Sequence, residues 1–185
     1  ASFPSVFVEN DEAHEDLLKG SGSLIHISFS KDPSDQRAFE LINKTNQFNS
    51  NGVRVSEKEW FSFLTQDNSF IMKLSYEDKF GPLGKISVIT GYLFETEIQV
   101  TNWVLSCRAF GRRIEYQSLH SLFSVMKRDV VRVPFIGTLR NAPFRDFLRN
   151  VVLSGEDVED GVIDIYRAQF EEACPRLYHK VTVGD

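Results

Sequence analysis

The chain has 185 residues, 42% of them hydrophobic and 25% charged, with 16 Phe and a net charge of −5. That length suits one domain or one domain with an appended arm, and the phenylalanines supply an aromatic core rather than a disordered tail. The acidic balance argues against a nucleic-acid partner, no apolar run approaches the ~20 residues of a bilayer span, and two distant cysteines with four scattered histidines support neither a metal site nor a disulfide framework.

A reducing cytoplasm is the expected location, since no secretory pattern opens the chain. It begins on Ala, in "ASFPSVFVEN", which fits a piece of a longer protein and a processed N terminus equally.

Residues 1–22 read as an N-terminal arm, with a candidate strand in "SVFV" and a helical turn in "DEAHEDLLKG" that stops at Gly20. The main domain follows over 23–185. "SLIHISF" alternates Leu24, His26 and Ser28 against Ile25, Ile27 and Phe29, which is a strand pattern. "DPSDQRAFELINKTNQFN" is the clearest helix: Ser34 or Asp35 caps it, and Ala38, Leu41, Ile42 and Thr45 share a face. A second helix starts at the capping box "SEKE", with Ser56 as N-cap and Glu59 three residues on, and carries Trp60, Phe61 and Leu64.

Three strands come next, "SFIMKLSYE", "GKISVITGYLF" and "EIQVTNWVLSC". A long helix is expected from about Gly111 to Arg128, with Ile114, Leu119, Leu122, Phe123 and Met126 as its apolar face. "VVRVPFIG" reads as a strand, "NAPFRDFLRNVVL" as a helix with Pro143 in its first turn, and "GEDVEDG" as an acidic loop. "GVIDIYRAQF", with helix as the alternative, and "RLYHKVTV" close the chain as strands. Consecutive strands without helices between them imply an antiparallel meander, and the long helix returns to a strand that can pair in parallel. The expected fold class is therefore α/β (α+β), a mixed and mostly antiparallel sheet flanked by helices.

The chemistry concentrates at the junction "SCRAFGRR". A strand that hands over to a helix leaves free backbone N–H groups at the positive end of the helix dipole, suited to an anion. Gly111 allows close backbone approach, and Arg108, Arg112 and Arg113 are charge-assisted donors, so a pyrophosphate or phosphopantetheine phosphate fits there. The plain alternative is a turn with solvated arginines. Cys107, beside this cationic turn, is a candidate nucleophile that would hold an acyl group as a thioester. Its alternative is a buried packing residue. No base partner is identifiable, because His120 lies too far along the following helix. "INKTNQFN" offers Asn46, Gln47 and Asn49 as pocket-lining amides, or as a helix end unravelling into a loop.

Three blocks in order, "INKTNQFN", "WVLSCRAFGRRIE" and "RNAPFRDFL", resemble the C-terminal GNAT-like domain of FkbH-like glyceryl transferases, over about 24–153. The resemblance implies a GNAT-like (acyl-CoA N-acyltransferase) fold. It also implies a role with a glyceryl or similar small acyl unit on the phosphopantetheine of an acyl carrier protein, in polyketide-type biosynthesis. Family members carry a HAD-like phosphatase domain that loads the glyceryl unit, and its D-x-D-x-T motif does not occur in this sequence. By the same resemblance "RAFGRR" corresponds to the pyrophosphate loop, with Arg113 where a small residue is usual, and Asn141 corresponds to the Asn that contacts the pantetheine arm. Leu148 stands where related sequences tend to have Tyr, and Cys107 matches a recurrent cysteine of the family. No tightly bound cofactor is implied; a carrier-protein phosphopantetheine or coenzyme A is the co-substrate. Two other readings are an N-acetyltransferase using acetyl-CoA and a non-catalytic module that docks a carrier protein.

Overall fold

The computed structural model describes residues 12–152 and 157–185. The strand considered in "SVFV" and the first two residues of the acidic loop lie outside them. In chain order the elements are α1 (Glu12–Lys19), β1 (Leu24–Ser28), α2 (Gln36–Lys44), β2 (Phe48–Asn49), α3 (Glu57–Leu64), β3 (Ser69–Asp78), β4 (Gly81–Leu93) and β5 (Ile98–Leu105). A 3-10 turn (Cys107–Ala109) leads to α4 (Ile114–Met126), β6 (Val130–Phe135), α5 (Ala142–Val152), β7 (Gly161–Tyr166), α6 (Arg167–Ala173) and β8 (Lys180–Val183).

Among the described residues the strands form one sheet in the order β7-β6-β5-β4-β3-β1-β8, with β2 attached to β5. β3, β4 and β5 make the antiparallel meander expected from the sequence, and β6 pairs with β5 in parallel after the α4 crossover. The segment "GVIDIYRAQF" divides between both of its readings: β7 ends at Tyr166 and α6 begins at Arg167.

Local chemistry sets the helix starts. Asp35 caps α2 by accepting from the Ala38 N–H at 3.1 Å, and the Ser56–Glu59 capping box at α3 is formed in both directions. Asp35 also receives ammonium groups from the strands beneath, Lys73 Nζ at 3.0 Å and Lys85 Nζ. Burial works to raise this carboxyl, but the Lys85 contact, the Ala38 N–H and Lys73 outweigh it and bring its pKa to about 2.

The sheet has apolar material on both faces. α2 and α3 pack Ala38, Leu41, Ile42, Trp60 and Leu64 onto Ile71, Val88 and Val104. Phe61, next to Trp60 on α3, points outward and is 57% exposed, because Trp60 takes the inward position. The opposite face, under α4 and α5, holds the larger cluster, including Trp103, Phe135, Phe144 and Leu148.

The site depends on how β5 and β6 separate. They pair only at Ile98–Val131 and Gln99–Arg132. Beyond that point β2 takes over the β5 edge, pairing Phe48 with Leu105 and Asn49 with Val104. The Ser50 N–H donates to Trp103 O at 3.1 Å, and the Ile136 N–H donates to Ser50 O at 3.0 Å, so the 48–50 segment bridges the two strands. Phe48 seals it from below, 4.7 Å between ring centroids from Phe144 and 5.7 Å from Phe147. The crevice beyond the carboxyl ends of diverging strands is where open α/β sheets usually take ligands. In this chain the 48–50 segment closes it.

Candidate functional site

The strand-to-helix junction is built differently from its sequence expectation. α4 begins at Ile114, not near Gly111, and Cys107–Ala109 form a separate 3-10 turn. Cys107 is therefore on a short turn at the end of β5, ahead of Gly111, and not at the N terminus of α4. Gly111 has φ +78°, a conformation that glycine takes without steric cost, and its carbonyl accepts from His14 Nε2 at 2.7 Å. Arg113 is also left-handed, at φ +57°.

Two of the three arginines expected to hold phosphate are turned inward. Arg112 is 7% exposed; its Nη1 donates to Arg108 O at 2.8 Å and its Nε lies 3.7 Å from Asp78 Oδ2. Arg113 is 4% exposed, donates to Arg176 O at 2.8 Å, and places Nη2 2.6 Å from Glu15 Oε2. Tyr178 donates to the other oxygen of Glu15 at 2.6 Å. The Arg113 hydrogen bond, reinforced by Tyr178, pulls the Glu15 pKa down to about 2 against the opposing effect of burial. The anion held by Arg113 is thus a carboxylate of the chain itself. Arg108 stays at the surface, with Nη2 donating to Leu83 O at 3.2 Å. The assignment of Arg112 and Arg113 to phosphate is corrected accordingly: an unpaired guanidinium is costly to bury, and both have internal partners.

Two of the predicted amides are structural as well. Asn49 is 1% exposed; its Oδ1 accepts from the Asn51 and Gly52 N–H groups and its Nδ2 donates to Thr45 O. Asn141, also 1% exposed, donates to Asn49 O at 2.9 Å and Ile136 O at 2.8 Å and accepts from the Thr138 N–H at 2.7 Å. Its amide ties β2 to the end of β6 and to the start of α5, so no polar atom is left over for a pantetheine arm. Leu148 is fully buried in the core. His120 lies in a different groove, between α4 and β8.

The remaining predicted residues come together. Cys107, Asn46 and Gln47 line one cavity of about 320 Å³, with Arg37, Glu40 and Lys44 on its α2 wall. Cys107 is exposed. Asn46 Oδ1 accepts from Arg54 Nη2, which leaves its Nδ2 as the donor end. Arg37 and Lys44 both sit 3.8 Å from Glu40 in an i, i+3, i+7 ladder. Sequence reasoning passed over these three, although their spacing along α2 puts them on one face, leading directly into the amide run. The other cysteine differs in kind: burial pushes the Cys174 thiol up to about 11, against a weaker opposing pull from Arg113, which keeps it protonated near neutrality. Among the described residues no group of three or more His, Cys, Asp or Glu side chains could hold a metal ion, and no helix is long and apolar enough to cross a membrane.

No protein-family model and no curated protein matches the sequence. Solved structures do match in shape. A domain from Methanocaldococcus jannaschii DSM 2661 superposes over 78% of this chain and 99% of its own, with a TM-score of 0.53 at 11% identity. The ribosomal-protein-S18-alanine N-acetyltransferase of Escherichia coli gives 0.45 at 12% identity, over 59% of this chain and 65% of that enzyme. A Vibrio cholerae spermidine N-acetyltransferase chimera with hSSAT gives 0.47 at 10% identity, over 82% and 99%. Likeness at this level is likeness of fold. The antiparallel meander, the parallel β5–α4–β6 crossover and the helices on both faces make this an α/β fold with a mixed, mostly antiparallel sheet.

Proposed function

We propose that the cavity at Cys107 is the acyl-handling site of a GNAT-like acyltransferase domain, one that takes a small polar acyl unit from the phosphopantetheine thiol of an acyl carrier protein. The observation that carries this reading is convergence. An exposed thiol and two amides, taken from separate sequence blocks, line one small cavity beside a cationic helix face. A cavity of about 320 Å³ with polar walls suits a short hydroxylated acyl group better than a long apolar one. Glyceryl is the unit favoured by the resemblance to FkbH-like transferases. The same resemblance supports a HAD-like domain as the source of that unit, a place in polyketide-type biosynthesis and a cytoplasmic setting.

In this reading Cys107 Sγ attacks the acyl carbonyl of the carrier thioester. The new Sγ–acyl bond forms as the acyl bond to the pantetheine sulfur breaks, and the thiol proton of Cys107 ends on the released pantetheine thiol. Asn46 and Gln47 hydrogen-bond the acyl hydroxyls. Arg37 and Lys44 meet the pantetheine phosphate, in the role that the sequence alone gave to Arg112 and Arg113. The closed β5–β6 crevice favours this cavity over an extended coenzyme A slot between the strands.

The test is the intact mass of the wild type and of Cys107→Ala after incubation with glyceryl-loaded carrier protein, with acetyl-CoA in parallel. A mass gain of one glyceryl unit, absent in Cys107→Ala, is expected. No adduct, with the carrier still bound, would make this a docking module, and acetylation without Cys107 dependence would favour the coenzyme A reading.

A further inference from the structure

β8 stands at one end of the sheet order, and among the described residues no strand pairs with its outer side. The Lys180 N–H donates to Ser23 O at 2.9 Å and the Gly184 N–H to Ile27 O at 3.0 Å. Backbone groups alternate sides along a strand. Lys180, Thr182 and Gly184 are therefore turned toward β1, and Val181 and Val183 turn their N–H and C=O groups outward. Proteins keep an edge from pairing with proline or charge, and neither stands at these two positions. Both valines line a groove of about 610 Å³ between β8 and α4, which the exposed Val125 also lines.

β7 is the edge at the opposite end, and charge separates the two. The Arg167 N–H donates to Asp129 O at 2.9 Å, in step with the β6–β7 register, so Val162, Asp164 and Tyr166 carry the outward groups there. Two copies of β7 paired antiparallel and centred on the strand would set Asp164 against its own counterpart, and like charges directly opposite are destabilising. β8 has the reverse property. Antiparallel pairing through its outward groups puts Val181 opposite Val183 of a second copy, twice over, and closes four backbone hydrogen bonds. Thr182 then faces its own counterpart, and Lys180 falls opposite Gly184, beside Asp185. These two charges share a face of the sheet: the Asp185 carboxylate accepts from Ser28 Oγ at 3.1 Å, and Thr182, two residues from Lys180, meets His26 Nδ1 at 2.9 Å. β8 is thus complementary to itself in hydrogen bonds, in side-chain shape and in charge.

We infer that two copies of this chain pair through β8, antiparallel across a two-fold axis at Thr182, and continue the sheet from one copy into the other. The contact is isologous, so one strand supplies both halves of it. β-Branched residues packed across strands favour it, and Val181 and Val183 extend the α4 groove into the second copy. A four-residue strand gives a small interface, so the dimer is reversible. The edge is remote from β5 in the sheet order, and the pairing stands whether or not Cys107 carries an acyl group.

The experiment is sedimentation velocity of the full chain from about 5 to about 500 μM, with amide hydrogen exchange followed by NMR at both ends of that range. The wild type is expected to pass from monomer to dimer with Kd of about 10–100 μM. The Val181 and Val183 amides should exchange at least about threefold more slowly at the higher concentration, while those of Val162 and Asp164 on β7 keep one rate. Val181→Pro removes an outward N–H that β1 does not use, and Val183→Lys sets a charge against Val181 of the second copy. Each is expected to weaken dimerisation about tenfold or more, and Val162→Lys to leave it unchanged. A wild type that stays monomeric over the whole range overturns the proposal. So does a dimer that survives Val183→Lys, or one that Val162→Lys abolishes. Should Val181→Pro fail to fold, Val183→Lys carries the comparison, because that side chain is already 53% exposed.

Discussion

Removing the Asn141 amide separates a scaffold role from a ligand role. The side chain makes three hydrogen bonds, to Asn49 O, to Ile136 O and from the Thr138 N–H, at 2.7–2.9 Å. Each contributes about 1 kcal/mol net, and truncation to Ala leaves the buried Asn49 carbonyl unsatisfied at a further cost of about 1–3 kcal/mol. Asn141→Ala should therefore lose about 4–6 kcal/mol, a large share of the roughly 5–15 kcal/mol that a domain has in total. The assay is equilibrium urea unfolding, followed by far-UV circular dichroism and by tryptophan fluorescence. Trp103 reports the affected region directly, because its ring packs against Phe144 at 5.6 Å and its carbonyl accepts from Ser50. Asn141→Asp is the companion variant: it keeps the shape and the Thr138 contact but turns a carboxylate oxygen toward two carbonyls, and should cost at least as much at neutral pH. A loss below about 0.5 kcal/mol for Asn141→Ala, within the range of an ordinary surface change, would refute the argument and return this residue to the ligand.

The pH dependence has a definite sign. Burial, and to a lesser extent Arg113, depress the His179 pKa to about 4 from 6.5, although its Nε2 donates to Arg112 O at 2.7 Å and that bond works the other way. The unfolded chain binds this proton first, so stability falls as pH drops from 6.5 to 4, by about 3 kcal/mol in all. The contributions of Glu15 and Asp35, whose pKa values are lowered to about 2, are present above their unfolded values and are lost only below about pH 4. Urea midpoints measured from about pH 7 to about pH 4 should thus fall in the wild type and stay nearly flat in His179→Gln; an equal slope in both would remove His179 from the account. Gly91→Ala should destabilise by about 3 kcal/mol, measured by the same unfolding assay. A Cβ there would lie 2.2 Å from Gln99 O and 2.8 Å from Phe70 Cε1, and a wild-type midpoint would mean that the bulge yields.

Periodicity and capping were legible along the chain because they are local. The 3.6-residue spacing of Ala38, Leu41 and Ile42, the Ser56–Glu59 box and the three strand-like runs of β3–β5 each need only neighbouring residues, and all recur in the structure, β3 being buried on both faces. From them the mixed, mostly antiparallel sheet followed. Partner choice was not local. "RAFGRR" reads as a cationic loop awaiting an anion, yet Glu15 and Tyr178, from opposite ends of the chain, supply that anion to Arg113, and Asp78 faces Arg112. Asn49 and Asn141 read as pocket amides, yet they satisfy the backbone that β2 carries between β5 and β6. Sequence by itself determined which elements form and which residues bear chemistry. Tertiary structure alone decided which polar groups are taken up by the fold and which, as at Cys107, are left exposed, because a buried donor or charge must be paired and its partner is set by contacts between elements remote in sequence.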